Sequence, residues 1–282
     1  MRRSIRYLWL ALGQVTAIVV TVGVCIFTAT GQTADQAAMV ATAASDDPAV
    51  RLAQYLGANY VVMVAAAVMI AGTVMAIAGR RVLDAVSAAV IFLGASVTSQ
   101  VVKHDVIARP DLADGWGAYG NSLPSGHATL AIAAACAAMY AVPARSKYLF
   151  APALTAWAAV AGIGVVAAGW HRPSDVIVAS LIVGLWCTAA TMVRTLIREL
   201  TRSGDASGAA GSRPCRFTPV LVAGTIIAAA ALCVSYVIGD GRASASAAIS
   251  VVAIATTVFA ALTMSAGMEP RRHGSHRLSA VS

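Results

Sequence analysis

The sequence predicts an all-α, polytopic membrane helix bundle of about eight transmembrane helices. Three observations carry this. The chain has 282 residues, of which 59% are hydrophobic and only 11% are Asp, Glu, Lys or Arg, against roughly 25% charged in a soluble domain. The apolar residues fall in unbroken runs near the roughly 20 residues that a helix needs to cross the hydrocarbon. These runs show no strand-like alternation, so of the two structures that satisfy their backbone in lipid, helices and closed barrels, helices are favoured.

The first run, 7–29, follows Arg2, Arg3 and Arg6. Basic residues also precede a signal peptide, but about 22 apolar residues exceed the usual apolar core of one, which favours a retained anchor. Residues 30–56 form a loop rich in Ala and Thr with Asp35, Asp46 and Asp47; a short surface helix and disorder are both open for it. Spans at 57–79 and 83–102 are separated by Arg80 and Arg81. The fourth, 126–142, is the shortest and stops at Pro143; 149–169 and 174–197 complete a six-span core over 1–199. Ser, Gly, Ala and Arg in 200–216 read as a flexible basic linker. Spans at 218–239 and 245–267 form a final pair within 217–268, and 269–282 is a basic, disordered tail.

Orientation follows from charge. With the N-terminus inside, the outer segments hold Arg51, Lys103, Arg109, Arg172 and Arg242, and the inner segments hold the other 15 of the 20 Lys and Arg. That asymmetry is a positive-inside signal. It places both termini in the cytoplasm, in what reads as a bacterial plasma membrane. The net charge of +8 does not indicate a nucleic-acid partner, because the basic residues punctuate apolar runs instead of clustering on a polar domain. Cys25, Cys136, Cys187 and Cys233 lie in apolar spans and Cys215 in the linker, with no metal-ligand spacing; they read as small packing residues. Trp116, Tyr119 and Trp170 lie near span ends, where an interfacial aromatic belt accounts for them.

Chemistry concentrates at the predicted outer ends of three spans. Pro124-Ser125-Gly126-His127 opens the fourth. Gly126 permits close backbone approach, Ser125 is a helix cap, and the first N–H groups of that helix form an anion site beside the ionisable His127. His171 and Asp175 are four apart, so on a helix they share a face, and Pro173 is tolerated in a first turn. A carboxylate on one imidazole nitrogen fixes the tautomer and leaves the other as nucleophile or base. Lys103 and Arg109, followed by Pro110, flank the end of the third span. Taken singly, each group has a plain reading: a capped turn, an interfacial helix start, or snorkelling cations. Their convergence at one membrane face points to a phosphate site.

These motifs resemble the type 2 phosphatidic acid phosphatase family of membrane lipid phosphatases. The resemblance covers about residues 55–197 and rests on Lys103 with Arg109-Pro110, on Pro124-Ser125-Gly126-His127, and on His171 with Asp175. Two motifs depart from the family pattern. Five residues, His104 to Ala108, separate the lysine from the arginine where the family has six. The third motif's usual Ser-Arg is replaced by Gly164 and Val165. One phosphate-binding arginine is thus missing, and Arg172, beside the nucleophile, is the candidate substitute.

The resemblance implies a phosphatase acting without cofactor or metal on a lipid phosphate or diphosphate at the outer face. Lys103, Arg109, Ser125, Gly126 and Arg172 would bind the phosphate, His171 would attack phosphorus to form a phosphohistidine, Asp175 would orient it, and His127 would protonate the leaving group. Asp105, Asp111 and Asp114 read as loop acids, not as a magnesium site. Two other classes stand beside this one. A degenerate lipid-phosphate binding or regulatory protein is argued by Val165. A transporter would place its charges at mid-span depth, whereas these lie at span ends.

Overall fold

A computed structural model describes residues 2–113, 120–143, 146–202 and 254. Among them every regular element is helical: α1 (Arg2–Phe27), α2 (Ala29–Ala43), α3 (Pro48–Asn59), α4 (Val61–Ala78), α5 (Val82–Val101), α6 (Gly126–Ala141), α7 (Lys147–Ala167) and α8 (Pro173–Arg202). A π-helical turn, Val102–Val106, extends α5. Five segments are long and apolar enough to cross a membrane: Tyr7–Phe27, Val61–Ala78, Val82–Val106, Leu149–Ala167 and Pro173–Ile197. Exposed Leu8, Trp9, Leu12, Ile70, Val74 and Ile77 give α1 and α4 apolar outer faces, which in water would form an aggregation-prone patch and in a bilayer meet lipid.

The predicted 126–142 span is α6, a shorter apolar helix. At 16 residues it extends about 24 Å, short of the hydrocarbon thickness. It lies at the centre instead, with every residue from Ala131 to Ala141 buried. Alanine suits that position, because small side chains let neighbouring backbones approach closely; α4, α5, α7 and α8 all pack on it. The predicted span 57–79 divides at Tyr60 into the end of α3 and α4. Spans 218–239 and 245–267, the linker 200–216 beyond Arg202, and the tail lie outside the described residues, Ile254 excepted.

Residues 30–56, open between surface helix and disorder on sequence, are two helices that pack into the bundle. Thr28 starts α2, its Oγ1 accepting from Gly31 N at 3.0 Å. Asp47 starts α3, accepting from Ala49 N and Val50 N at 2.8 and 3.3 Å, with Pro48 in the first turn. Such caps satisfy orphan donors that would otherwise oppose helix formation. α3 lies against α7 at a contact that only glycine allows. A Cβ at Gly164 would stand 2.2 Å from the Ala53 carbonyl oxygen, and one at Gly57 would stand 2.8 Å from the Gly164 Cα.

At the bundle end away from the motifs, Asp84 of α5 binds Arg194 Nη2 of α8 at 2.5 Å and Arg81 Nη1 at 3.5 Å. Arg194 also stands 5.3 Å over the Tyr140 ring of α6, and Arg81 donates to the Ala141 carbonyl. This cluster ties α5, α6 and α8 together where they leave the apolar layer.

Gly164→Ala should destabilise the protein by about 1–3 kcal/mol through overpacking against α3. Gly23→Ala, in an α1 position with open space around it, should be neutral or stabilise by up to about 1 kcal/mol. Thermal unfolding in detergent compares the two; equal shifts would contradict the close α3–α7 contact.

Candidate active site

The motifs meet where α5 ends, α6 begins, α7 ends and α8 begins. Lys103 leaves α5 within the π-helical turn, a local widening that recurs at functional sites. Asn121 ties this segment to the next motif: its Nδ2 donates to the Lys103 and Ile107 carbonyls at 2.9 and 2.8 Å. Ser125 is buried and caps α6, its Oγ accepting from Ala128 N at 3.3 Å. Its own N–H donates to the Asp175 carbonyl at 3.0 Å, which joins the start of α6 to the start of α8. Gly126 and His127 follow in the first turn of α6, the electropositive end of the helix.

The third motif forms a tight turn. The N–H groups of Trp170 and His171 both donate to the Val165 carbonyl, at 3.1 and 3.3 Å, and Gly169 adopts the left-handed conformation at φ 71° that glycine permits. His171 Nδ1 then stands 3.3 Å from Asp175 Oδ2. The same oxygen accepts from Ser122 Oγ at 2.6 Å and from Arg172 N at 3.0 Å. With Nδ1 facing the carboxylate, Nε2 is the nitrogen left for chemistry. The His127 and His171 rings lie 6.4 Å apart between centroids. Trp170, assigned on sequence to an interfacial belt, packs 5.5 Å from the His127 ring while staying half exposed. Trp116 and Tyr119 lie outside the described residues.

Arg172 is buried, 3% exposed, and held on two sides. Its Nε donates to Gln36 Oε1 at 2.7 Å and its Nη1 to Ser122 Oγ at 2.9 Å. Arg109 is half-buried, and its Nη1 is a buried donor with no hydrogen-bond partner among the described residues. Burial and then the Arg172 charge lower its pKa from the usual arginine value, opposed by Asp35 and Asp175. Two neighbouring guanidiniums, one with an orphaned buried donor, make a site that calls for an anion.

The residues that sequence reasoning missed are mostly on α2. Gln32, Asp35 and Gln36 share one helical face and are all buried. Gln32 Nε2 donates to the Pro110 carbonyl at 2.7 Å and its Oε1 accepts from Leu112 N at 3.4 Å. Asp35 accepts from Ser174 N at 3.1 Å and from Ser174 Oγ at 2.5 Å. The spacing of 32, 35 and 36 was the available signal, but alanine-rich neighbours give α2 no strong apolar stripe to reveal it as an inward-facing helix.

The family model of the PAP2 superfamily matches residues 84–199. The match spans Lys103, Arg109, Ser125 to His127, His171 and Asp175, and leaves α1 to α4 outside. No curated protein and no solved structure matches the chain.

Burial, followed by the Asp175 charge, pushes the Asp35 pKa up from 3.8 to about 6, against the lowering effect of Ser174 and Arg172. A raised carboxyl pKa means that the folded state binds the proton more readily, so this group's contribution to stability falls as pH rises from about 4 to about 6. Asp35→Asn removes that dependence. Melting temperatures of the variant relative to wild type should therefore rise between pH 4.5 and pH 7.5; an unchanged difference would contradict the buried, ionising Asp35.

Proposed function

We propose that this chain removes phosphate from a lipid phosphate or diphosphate without a metal, through a phosphohistidine; the match of residues 84–199 to the model of the PAP2 superfamily, whose members are phosphatases, supports this reading. The observation that carries the proposal is the His171–Asp175 pair beside His127, with the buried, unpartnered Arg109 donor close enough to Arg172 and Asp175 to feel their charges. A phosphate dianion repels nucleophiles, so its charge must be offset before attack. Lys103, Arg109, Ser125 and the N–H groups at Gly126 and His127 do this, and Arg172 stands in for the motif arginine that Val165 replaces.

His171 Nε2 attacks phosphorus in line, and the bond from phosphorus to the lipid-side oxygen breaks as His127 gives that oxygen a proton. Asp175 holds Nδ1 and stabilises the positive charge on the ring. Water, deprotonated by His127, then attacks the phosphohistidine; phosphate leaves and His171 is regenerated. A lipid substrate fits a site at the ends of membrane-length helices, where a headgroup enters while its tails stay in lipid. The charge asymmetry of the loops argues for the extracytoplasmic face and cytoplasmic termini. That orientation suits recycling of a carrier lipid for envelope synthesis, by analogy.

One observation favours a second reading, binding without turnover: Val165 is a fully buried apolar side chain where the family carries a cation. Phosphate release in detergent with excess EDTA, from phosphatidate and from a polyprenyl diphosphate, separates the two. Wild type should release phosphate, His171→Ala should abolish release, and Arg172→Ala should lower turnover by about 10²–10³, the usual loss on removing one preorganised donor. Folded wild type that binds lipid phosphate but releases none would establish the binding protein instead.

A further inference from the structure

Two of the helices outside the matched region, α2 and α3, change the site in opposite senses. α3 docks on α7 at Gly164, where the Ala53 carbonyl occupies the space that any side chain would need. The neighbouring Val165 side chain is fully buried in the core. A serine at 164 is therefore incompatible with α3 in this place. α2, the helix just before α3, brings Gln36 onto Arg172 instead.

Resting on the phosphatase reading above, we propose that Gln36 is a positioning residue that fixes the Arg172 guanidinium as the phosphate-binding arginine of this site. Gln36 is 1% exposed, and its Oε1 takes the Nε donor at 2.7 Å. Ser122 Oγ takes Nη1 at 2.9 Å and itself donates to Asp175 Oδ2 at 2.6 Å. A guanidinium is planar, so two anchored nitrogens determine its plane and direct Nη2. The chain of bonds from Gln36 through Arg172 and Ser122 to Asp175 sets the cation and the nucleophile in one frame. The rest of the α2 face braces that frame: Asp35 holds Ser174, next to Asp175, and Gln32 holds Pro110, next to Arg109. An arginine that must not swing to solvent needs such a brace, because a misplacement of about 1 Å costs on the order of 10²-fold in rate.

The test is a double-mutant cycle on the full-length protein in detergent, read by lipid phosphate hydrolysis and by calorimetric binding of orthovanadate. Gln36→Leu should lower kcat/KM and weaken vanadate binding by at least tenfold. Gln36→Glu, which keeps an acceptor for Nε, should restore most of both. In an Arg172→Ala background, Gln36→Leu should cost nothing further, because its effect passes through Arg172. A structural role alone would give equal losses with and without Arg172, and that additivity would overturn the proposal, as would wild-type behaviour of Gln36→Leu. Gln36→Met, closer in shape, replaces Gln36→Leu if the latter does not fold. Wild type that hydrolyses no lipid phosphate but binds vanadate, with the same Gln36 dependence, would overturn the phosphatase reading and leave the positioning of Arg172 standing. Wild type that neither hydrolyses nor binds vanadate would overturn both.

Discussion

A single carboxylate oxygen, Asp175 Oδ2, is where the site's parts are joined. It accepts from the Ser122 hydroxyl and the Arg172 backbone and faces the His171 ring. Asp175 has no solvent exposure, and a buried carboxylate costs several kcal/mol unless donors and countercharges surround it. The requirement runs outward. Ser122 lies in the loop before α6, Arg172 in the turn before α8, and the Asp175 carbonyl takes the Ser125 N–H. Burying that charge at the start of α8 thus requires the segments that open α6 and α8 to close around it.

The wider architecture serves the same end. α6, short and rich in alanine, lets α5, α7 and α8 pack closely enough for their ends to meet beside its own start. At the opposite end, Asp84, Arg81 and Arg194 tie α5 and α8 across α6. The two polar clusters bracket an apolar core whose buried helical members come from α1, α2, α5, α6, α7 and α8. Between them the helices have little freedom to slide, because a shift along either axis would break donors and acceptors at both ends.

The departure of the third motif at Gly164 has a steric basis. The contact between Gly164 and Ala53 gives α3 its seat, and that seat excludes the serine that the family resemblance would place at 164. A buried positive charge stands nearby in the chain: Arg172 lies seven residues beyond Val165, in the turn whose His171 N–H donates to the Val165 carbonyl. The two neighbouring arginines, Arg109 and Arg172, are balanced in part by the buried acids Asp35 and Asp175. That arrangement keeps two guanidiniums charged inside a low-dielectric surrounding.

The sequence by itself determined the helical membrane class, the positions of the first six apolar segments, and the residues of three motifs. Apolar run length and the pairing of residues four apart are local properties, readable without knowing what packs against what. It also singled out Arg172, from nearness to His171 alone. The tertiary structure decided that 30–56 is two helices, that α2 turns Gln32, Asp35 and Gln36 inward, and that Trp170 meets His127. Those facts depend on contacts between residues as far apart as Gln36 and Arg172. A polar residue on a weakly patterned helix has no meaning until the surface that it faces is known.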